Sequence, residues 1–474
     1  MTTHDEDFPK WNIIFLIYAE LVDGASEASD SDDGGPINPK QLEKVLKQLN
    51  IYENQNIFTI KNEVNMVDQI AAQDHTYVSQ LSYNPKSKQN ELKRIKTLKI
   101  KNFDQKYKSI QKVFSWINKR ARANKFILIT WDHGSAFGIF KKSVADAQKH
   151  HIEKLLDSKF DVLNEQKIDD TKSFYHIRNK QIGRRIDFFG GKSHKKRDTP
   201  KDADTSIEIL SNDHLAKAIT RGFPNGSVDA LLMLNCDMLN LHTCYSLCNC
   251  VDVLIAPSGA IAWPGYDFTS VVNLIGKNQG LKIDGKMIGA KIIDTLHPYY
   301  QSLGFEEDLS RYAIFAVTLK DFKKKILPFL KFFTIEIKKF ILNGDSKVLV
   351  RDYRTECYVV GEKWGYYLID LCNLLRNMST SKIDFAINSF DYLDAAFRSM
   401  IIESSIGKKI YPGNGSSYED RLNIPPTGTG IYFFPNIINI NDDVVREFIL
   451  PDAPFSTKLL KVVPWIDFIN LLYS

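Results

Sequence analysis

KFILITW (Lys125–Trp131) and VDALLMLN (Val228–Asn235) are the two stretches on which the fold turns. Each is a short, unbroken apolar run, the pattern of a strand covered by helices on both faces. WNIIFLIYAE (Trp11–Glu20) reads the same way, and Asp252–Ala256 is a fourth strand. Amphipathic stretches lie between them. In PKQLEKVLKQL, Leu42, Val45, Leu46 and Leu49 fall at i, i+3, i+4 and i+7, one face of a helix. Asp104–Ala123 and Asn212–Arg221 are also predicted helices. Strand and helix in alternation predict an α/β fold, a mostly parallel sheet flanked by helices on both faces.

Residues 1–10 read as an N-terminal tail and 11–320 as the main domain. A long polar insertion interrupts it at about 140–206. The core of that insertion, GGKSHKKRDTPKDADTS (Gly190–Ser206), has glycines, prolines and a basic cluster but no periodicity, so it reads as a surface loop. From 321 to 474 the pattern changes to an α+β portion expected to pack on the first. Asp321–Leu342 and Tyr367–Met378 are predicted helices there, and TGTGIYFFP (Thr427–Pro435) a late strand.

Composition narrows the class. The 474 residues are 43% hydrophobic and 25% charged, an ordinary globular balance. A net charge of +5 is too small to imply a nucleic-acid or acidic-membrane partner. No apolar run reaches the roughly eighteen residues of a spanning helix. The start, MTTHDEDFPK, has no basic and apolar leader, so the chain as given is expected in the cytoplasm, or outside the cell if it is a mature form. The six cysteines are sparse and suggest free thiols in a reducing compartment. A monomer is expected.

Chemistry gathers at two strand ends. His133 and Gly134 follow KFILITW, and Cys236 follows VDALLMLN. The carboxyl ends of parallel strands form the edge where ligands bind. On neighbouring strands, an imidazole beside the thiol lowers its pKa and later protonates a leaving amine. Gly134 lets its N–H approach a bound carbonyl, and with the N–H of Cys236 it makes an oxyanion hole worth roughly 3 kcal/mol per donor. From spacing alone the blander reading stays open: a satisfied structural histidine and a core cysteine.

KFILITWDHGSAFG resembles the His-Gly strand of the clostripain family of cysteine peptidases, a caspase-like group. SIEILSNDHLAKAI and VDALLMLNCDMLNLHTCYSL resemble the family's approach to the nucleophile strand and its strand-Cys-helix. VDVLIAPSGAIAWPGYDF, GTGIYFFPN and PWIDFINLL resemble later segments in the same order. The resemblance implies a caspase-like peptidase acting on a protein or peptide substrate, with His133 as general base and acid and Cys236 as nucleophile. It implies a zymogen too, with Lys195, Lys196 and Arg197 at the place where the family is commonly processed.

Around the substrate pocket the resemblance places Leu234, Ser258, Pro264 and Asp267. Here the sequence departs from the family, which usually carries Asp two residues before the nucleophile and a second acid in the Pro-Gly loop. Leu234 and Pro264 stand in those positions, which disfavours the family's Arg or Lys before the scissile bond. Asp237 or Asp267 is the candidate to compensate. The rival is a catalytically inactive or highly selective relative serving as a binding or regulatory module.

No cofactor or metal is required. The acidic loop with Asp23, Asp30, Asp32 and Asp33 is a candidate calcium site, without the spacing of an EF-hand. His242, Cys244, Cys248 and Cys250 fall on one helix, unlike the two separated ligand pairs of a zinc site.

Overall fold

The computed structural model describes residues 10–17, 21–22, 44–67, 70–100, 106–131, 133–136, 138–142, 207–259, 261, 265–278, 282–305, 312–342, 346–360, 368–407, 426–433 and 458–474. Pro264, the acidic loop and Lys195, Lys196 and Arg197 lie outside the described residues.

The chain opens with β1 (Trp11–Ile17) and a short β2 (Leu21–Val22), followed by a long antiparallel set, β3 (Gln55–Val67), β4 (Ile70–Asn84) and β5 (Gln89–Ile100). Helix α1 (Lys106–Arg120) leads into β6 (Lys125–Trp131). A small three-stranded sheet comes next, β7 (His133–Ser135), β8 (Gly138–Lys142) and β9 (Ile207–Ser211). Then follow α2 (Asn212–Gly222), β10 (Val228–Leu234), α3 (Leu241–Leu247), β11 (Val251–Pro257), α4 (Phe268–Lys277), α5 (Gly285–Ser302) and β12 (Ala313–Thr318).

The rest comprises α6 (Phe322–Ile341), α7 (Ser346–Thr355), β13 (Val359–Val360), β14 (Leu368–Asp370), α8 (Leu371–Thr380), α9 (Asp384–Arg398), β15 (Ile401–Ile406), β16 (Gly430–Tyr432), α10 (Lys458–Val462) and α11 (Trp465–Tyr473).

The main sheet runs β15-β12-β11-β10-β6-β1-β3-β4-β5. Its middle, from β11 to β3, is parallel. Both faces are buried, which is why these strands read as unbroken apolar runs. Leu128, Leu231 and Met233 enter one core with Val113, Phe114 and Ile117 of α1 and Leu215 and Ile219 of α2. Their sequence neighbours Ile127, Ile129 and Leu232 enter the other, against Val271 and Val272 of α4 and Ile288 and Ile292 of α5. The period of two sorts successive side chains to opposite faces. At the start of β6, the Asp229 carboxylate of β10 fixes the pairing. It accepts the Phe126 N–H at 2.8 Å and holds the Lys125 ammonium at 2.6 Å.

Beyond residue 320 the α+β character is as expected, but the sheet does not stop there. β15 pairs antiparallel with β12, and α6, α8 and α11 share the α1-side core. The helix expected over Tyr367–Met378 begins later. Leu368–Asp370 forms β14, and Asp370 caps α8 by accepting the Asn373 N–H at 3.1 Å. The late strand is confined to Gly430–Tyr432. No helix among the described residues is long and apolar enough to cross a membrane.

Candidate active site

Strands β6 and β10 are parallel neighbours, with Trp131 opposite Leu234. His133 and Cys236 each stand two residues beyond that pair, so the register brings both positions to one place on the carboxyl edge. Thr130 and Asn235, both buried, tie the strand ends together by a 2.6 Å hydrogen bond from the Thr130 hydroxyl to the Asn235 amide oxygen.

Gly134 makes the closest approach. A Cβ there would stand 2.2 Å from the Cys236 carbonyl oxygen and 2.7 Å from the Cys236 nitrogen. Real side chains do not come that close, so only glycine lets the His133–Ser135 strand lie against the Cys236 peptide. Asn212, buried at the start of α2, supports this strand from behind. Its amide donates to the Ala136 carbonyl at 3.1 Å and to the Thr243 hydroxyl at 2.9 Å, joining the β7–β8 turn to α3.

After Cys236 the chain turns sharply. Asp237 has φ +62°, a left-handed conformation that Asp adopts more readily than most residues. Its N–H donates to the Gly259 carbonyl at 2.7 Å, and the Leu239 N–H to the Pro257 carbonyl at 2.8 Å. Asn240 then caps α3, accepting the Thr243 N–H at 2.8 Å. Cys236 thus sits at the start of a turn braced by the end of β11.

The Cys236 sulfur lies 4.0 Å from the Ile261 carbonyl, and the residue is half-buried. Where a lowered thiol pKa was expected, the structure gives the opposite: burial pushes the Cys236 thiol up to about 12, and the Asp237 carboxylate adds to the rise.

The pocket residues divide. Leu234 is buried, and Gly265, at φ +74°, lies directly on it, since a Cβ at Gly265 would come 2.2 Å from Leu234 Cδ2. The next residue, Tyr266, donates its buried hydroxyl to the Met233 carbonyl at 3.0 Å, pinning this loop under β10. Asp267 turns its carboxylate to the N-terminus of α4, where it accepts from the Ser270 N–H at 3.1 Å and from the Ser270 hydroxyl. Ser258 is buried. Its N–H donates to the Ala313 carbonyl at 2.8 Å, and its carbonyl accepts from the Tyr358 hydroxyl at 3.3 Å.

His242, Cys244, Cys248 and Cys250 do not share one helix as expected: α3 ends at Leu247, Cys248 is its C-cap and Cys250 lies beyond it, and each of these two thiols has a partner. The Cys248 thiol reaches the Tyr245 carbonyl at 3.1 Å and the Cys250 thiol the Leu247 carbonyl at 3.4 Å. His242 is buried, accepting the Tyr432 N–H at 3.3 Å.

Asn212, Tyr266 and the Thr130–Asn235 pair escaped the sequence reading. The one available signal was the Ser-Asn-Asp at 211–213, a helix-start pattern whose serine does cap α2.

An α/β sheet with a glycine-backed cysteine at the end of a central parallel strand defines a caspase-like fold. Solved structures make the likeness narrower. A secreted C11 cysteine protease of Bacteroides thetaiotaomicron, "iotapain", superposes with a TM-score of 0.53 at 14% identity, over 90% of this chain and 94% of that one. A secreted C11 cysteine protease of the same organism in complex with an irreversible peptide inhibitor gives 0.52 at 12% identity, over 97% and 100%. An inactive zymogen C11 protease from Parabacteroides distasonis gives 0.51 at 12% identity, over 98% and 99%. The chain therefore has the fold of the C11, clostripain-type, cysteine proteases. No family profile and no curated protein matches the sequence.

Proposed function

We propose that this chain is a cysteine endopeptidase in which Cys236 is the nucleophile and His133 its general base and acid. The observation that carries the reading is Gly134 lying against the Cys236 peptide, because it sets the His133 and Cys236 positions side by side on the edge where ligands bind. The imidazole takes the thiol proton, and the thiolate adds to the scissile carbonyl. The N–H groups of Gly134 and Cys236 face the resulting oxyanion. Collapse breaks the C–N bond, and the imidazolium gives its proton to the departing amine. Water then hydrolyses the thioester, losing a proton to His133. Burial raises the Cys236 pKa, which supports a base in the role proposed for His133. Replacing either residue is expected to abolish turnover of fluorogenic peptides, and activity persisting in purified Cys236→Ala protein would sink the mechanism.

For specificity, an uncharged side chain is favoured before the scissile bond, because buried Leu234 stands where the resemblance places an acid. An unpaired guanidinium or ammonium there costs several kcal/mol, and roughly 1.4 kcal/mol is a factor of ten. Asp267 supports this reading because its carboxylate is committed to the α4 cap. Fluorogenic peptides varied only at that position test it. Strong preference for Arg or Lys refutes the pocket, while Leu234→Asp is expected to raise turnover of basic substrates.

The insertion around Gly190–Ser206 is assigned the regulatory cut, on the resemblance alone. Limited proteolysis is expected to cut there first, and first cuts elsewhere would remove that role.

A further inference from the structure

The net charge of +5 conceals a local excess. Residues 86–125 hold fourteen Lys and Arg against Glu91 and Asp104, while the rest of the chain is net acidic. These residues build β5, α1 and their flanks. Along α1, Lys108, Lys112, Trp116 and Arg120 succeed one another at intervals of four, one row of the helix surface. Lys93 and Lys96 of β5 are exposed, as are Lys108, Lys112 and Arg120 of the row. The Lys96 ammonium lies 5.9 Å from the centre of the half-buried Trp116 ring, and the Arg120 guanidinium 5.7 Å from it. Among the described residues, none of these five cations forms an ion pair with a carboxylate.

Two further features select the partner. Among the described residues β5 is the last strand of the main sheet, so one side of its backbone pairs with β4 and the other is open to an added strand. Lysines on such an edge repel a neutral or basic strand and a second copy of the same edge, and admit one that brings carboxylates. Trp116 already carries cations over its ring, which leaves it ill placed for base stacking.

The surface also stands level with the candidate site. Leu234, Trp131, Ile17, Lys61, Tyr77 and Thr97 are successive partners across the sheet. Lys96 is thus about five strand spacings, about 24 Å, from Leu234.

We propose that β5 and the exposed row of α1 form a docking surface for an extended acidic polypeptide segment. On the peptidase reading, about seven extended residues span the distance from this surface to Cys236. An acidic stretch could thus hold a protein substrate there while a distant bond is cut. The docking itself does not depend on that reading.

The test is binding to the full chain carrying Cys236→Ala, followed by fluorescence anisotropy of a labelled Asp/Glu dodecapeptide at low and high salt. The expected result is salt-sensitive binding. It should weaken about tenfold or more for the Asn/Gln isostere, for the peptide N-methylated at alternate residues, and for the Lys93→Gln/Lys96→Gln/Arg120→Gln chain. The proposal is overturned if the isostere or the N-methylated peptide binds equally well, or if the triple variant binds unchanged. It is also overturned if a single-stranded oligonucleotide or phosphatidylserine vesicles bind more tightly than the peptide. A failed binding test with normal peptide turnover by the unmutated chain would reject the docking surface and leave the peptidase reading standing.

Discussion

Gly134 shows how closely two backbone segments can approach where a side chain is absent. A methyl group there meets the Cys236 carbonyl oxygen at 2.2 Å, and the obstacle is backbone, which cannot rotate away. Gly134→Ala is therefore expected to separate β7 from the Cys236 turn. It should lose most turnover and about 1–3 kcal/mol of stability. Peptide turnover and thermal unfolding of the purified variant check both, and unchanged activity would show that the two segments need not touch. At this scale the sequence placed a His-Gly and a Cys at the ends of two strands, and the structure makes those strands neighbours. The turn at Asp237 was not legible, because a left-handed φ in a non-glycine residue leaves no pattern in the chain.

Elements were legible in proportion to how completely they are buried. KFILITW, VDALLMLN and Trp11–Ile17 are covered on both faces and announce themselves as apolar runs. β4 and β5 carry exposed polar residues through Tyr83–Leu98, and their strand character comes from pairing with each other and with β3. The start of α8 was misplaced because Leu368–Asp370 is as apolar as the helix after it. Only the cap at Asp370 separates the two.

Between elements, Asn212 joins the turn after β7 to α3, contacts invisible to any periodicity. Asn212→Ala leaves the Ala136 carbonyl and the Thr243 hydroxyl without this donor. It is expected to cost about 1–3 kcal/mol and to lower kcat more than KM, since it positions β7 without meeting substrate. Unfolding curves with steady-state kinetics test this; a purely structural role would leave kcat unmoved once the protein is folded.

Over the whole molecule, buried ionisable groups set the pH range of stability. His242 has its pKa held down to about 3 by burial. In the unfolded chain it takes a proton near 6.5, so stability falls as pH drops from about 6.5 toward 3. Cys236 is the reverse: the folded thiol holds its proton up to about 12, while the unfolded one loses it near 8.5. Stability therefore falls as pH rises through that window. Thermal midpoints measured across pH should peak between about 6.5 and 8.5. His242→Gln keeps an acceptor for the Tyr432 N–H but does not titrate, so its acid limb should be shallower; an identical limb would remove His242 from the account.

Net charge was the least informative whole-chain property, because the basic excess of residues 86–125 is masked by acids elsewhere. The C11-type architecture, in contrast, was legible through the order of its segments.

On the proposed mechanism Cys236, served by His133, is the attacking group. An irreversible thiol-directed peptide probe, followed by mass mapping of the adduct, tests it most directly. One probe per chain is expected on Cys236, with no adduct in Cys236→Ala and labelling slowed by about 10² or more in His133→Ala. An adduct on Cys248 or another cysteine in the folded protein, or labelling of Cys236 unaffected by loss of His133, would contradict it.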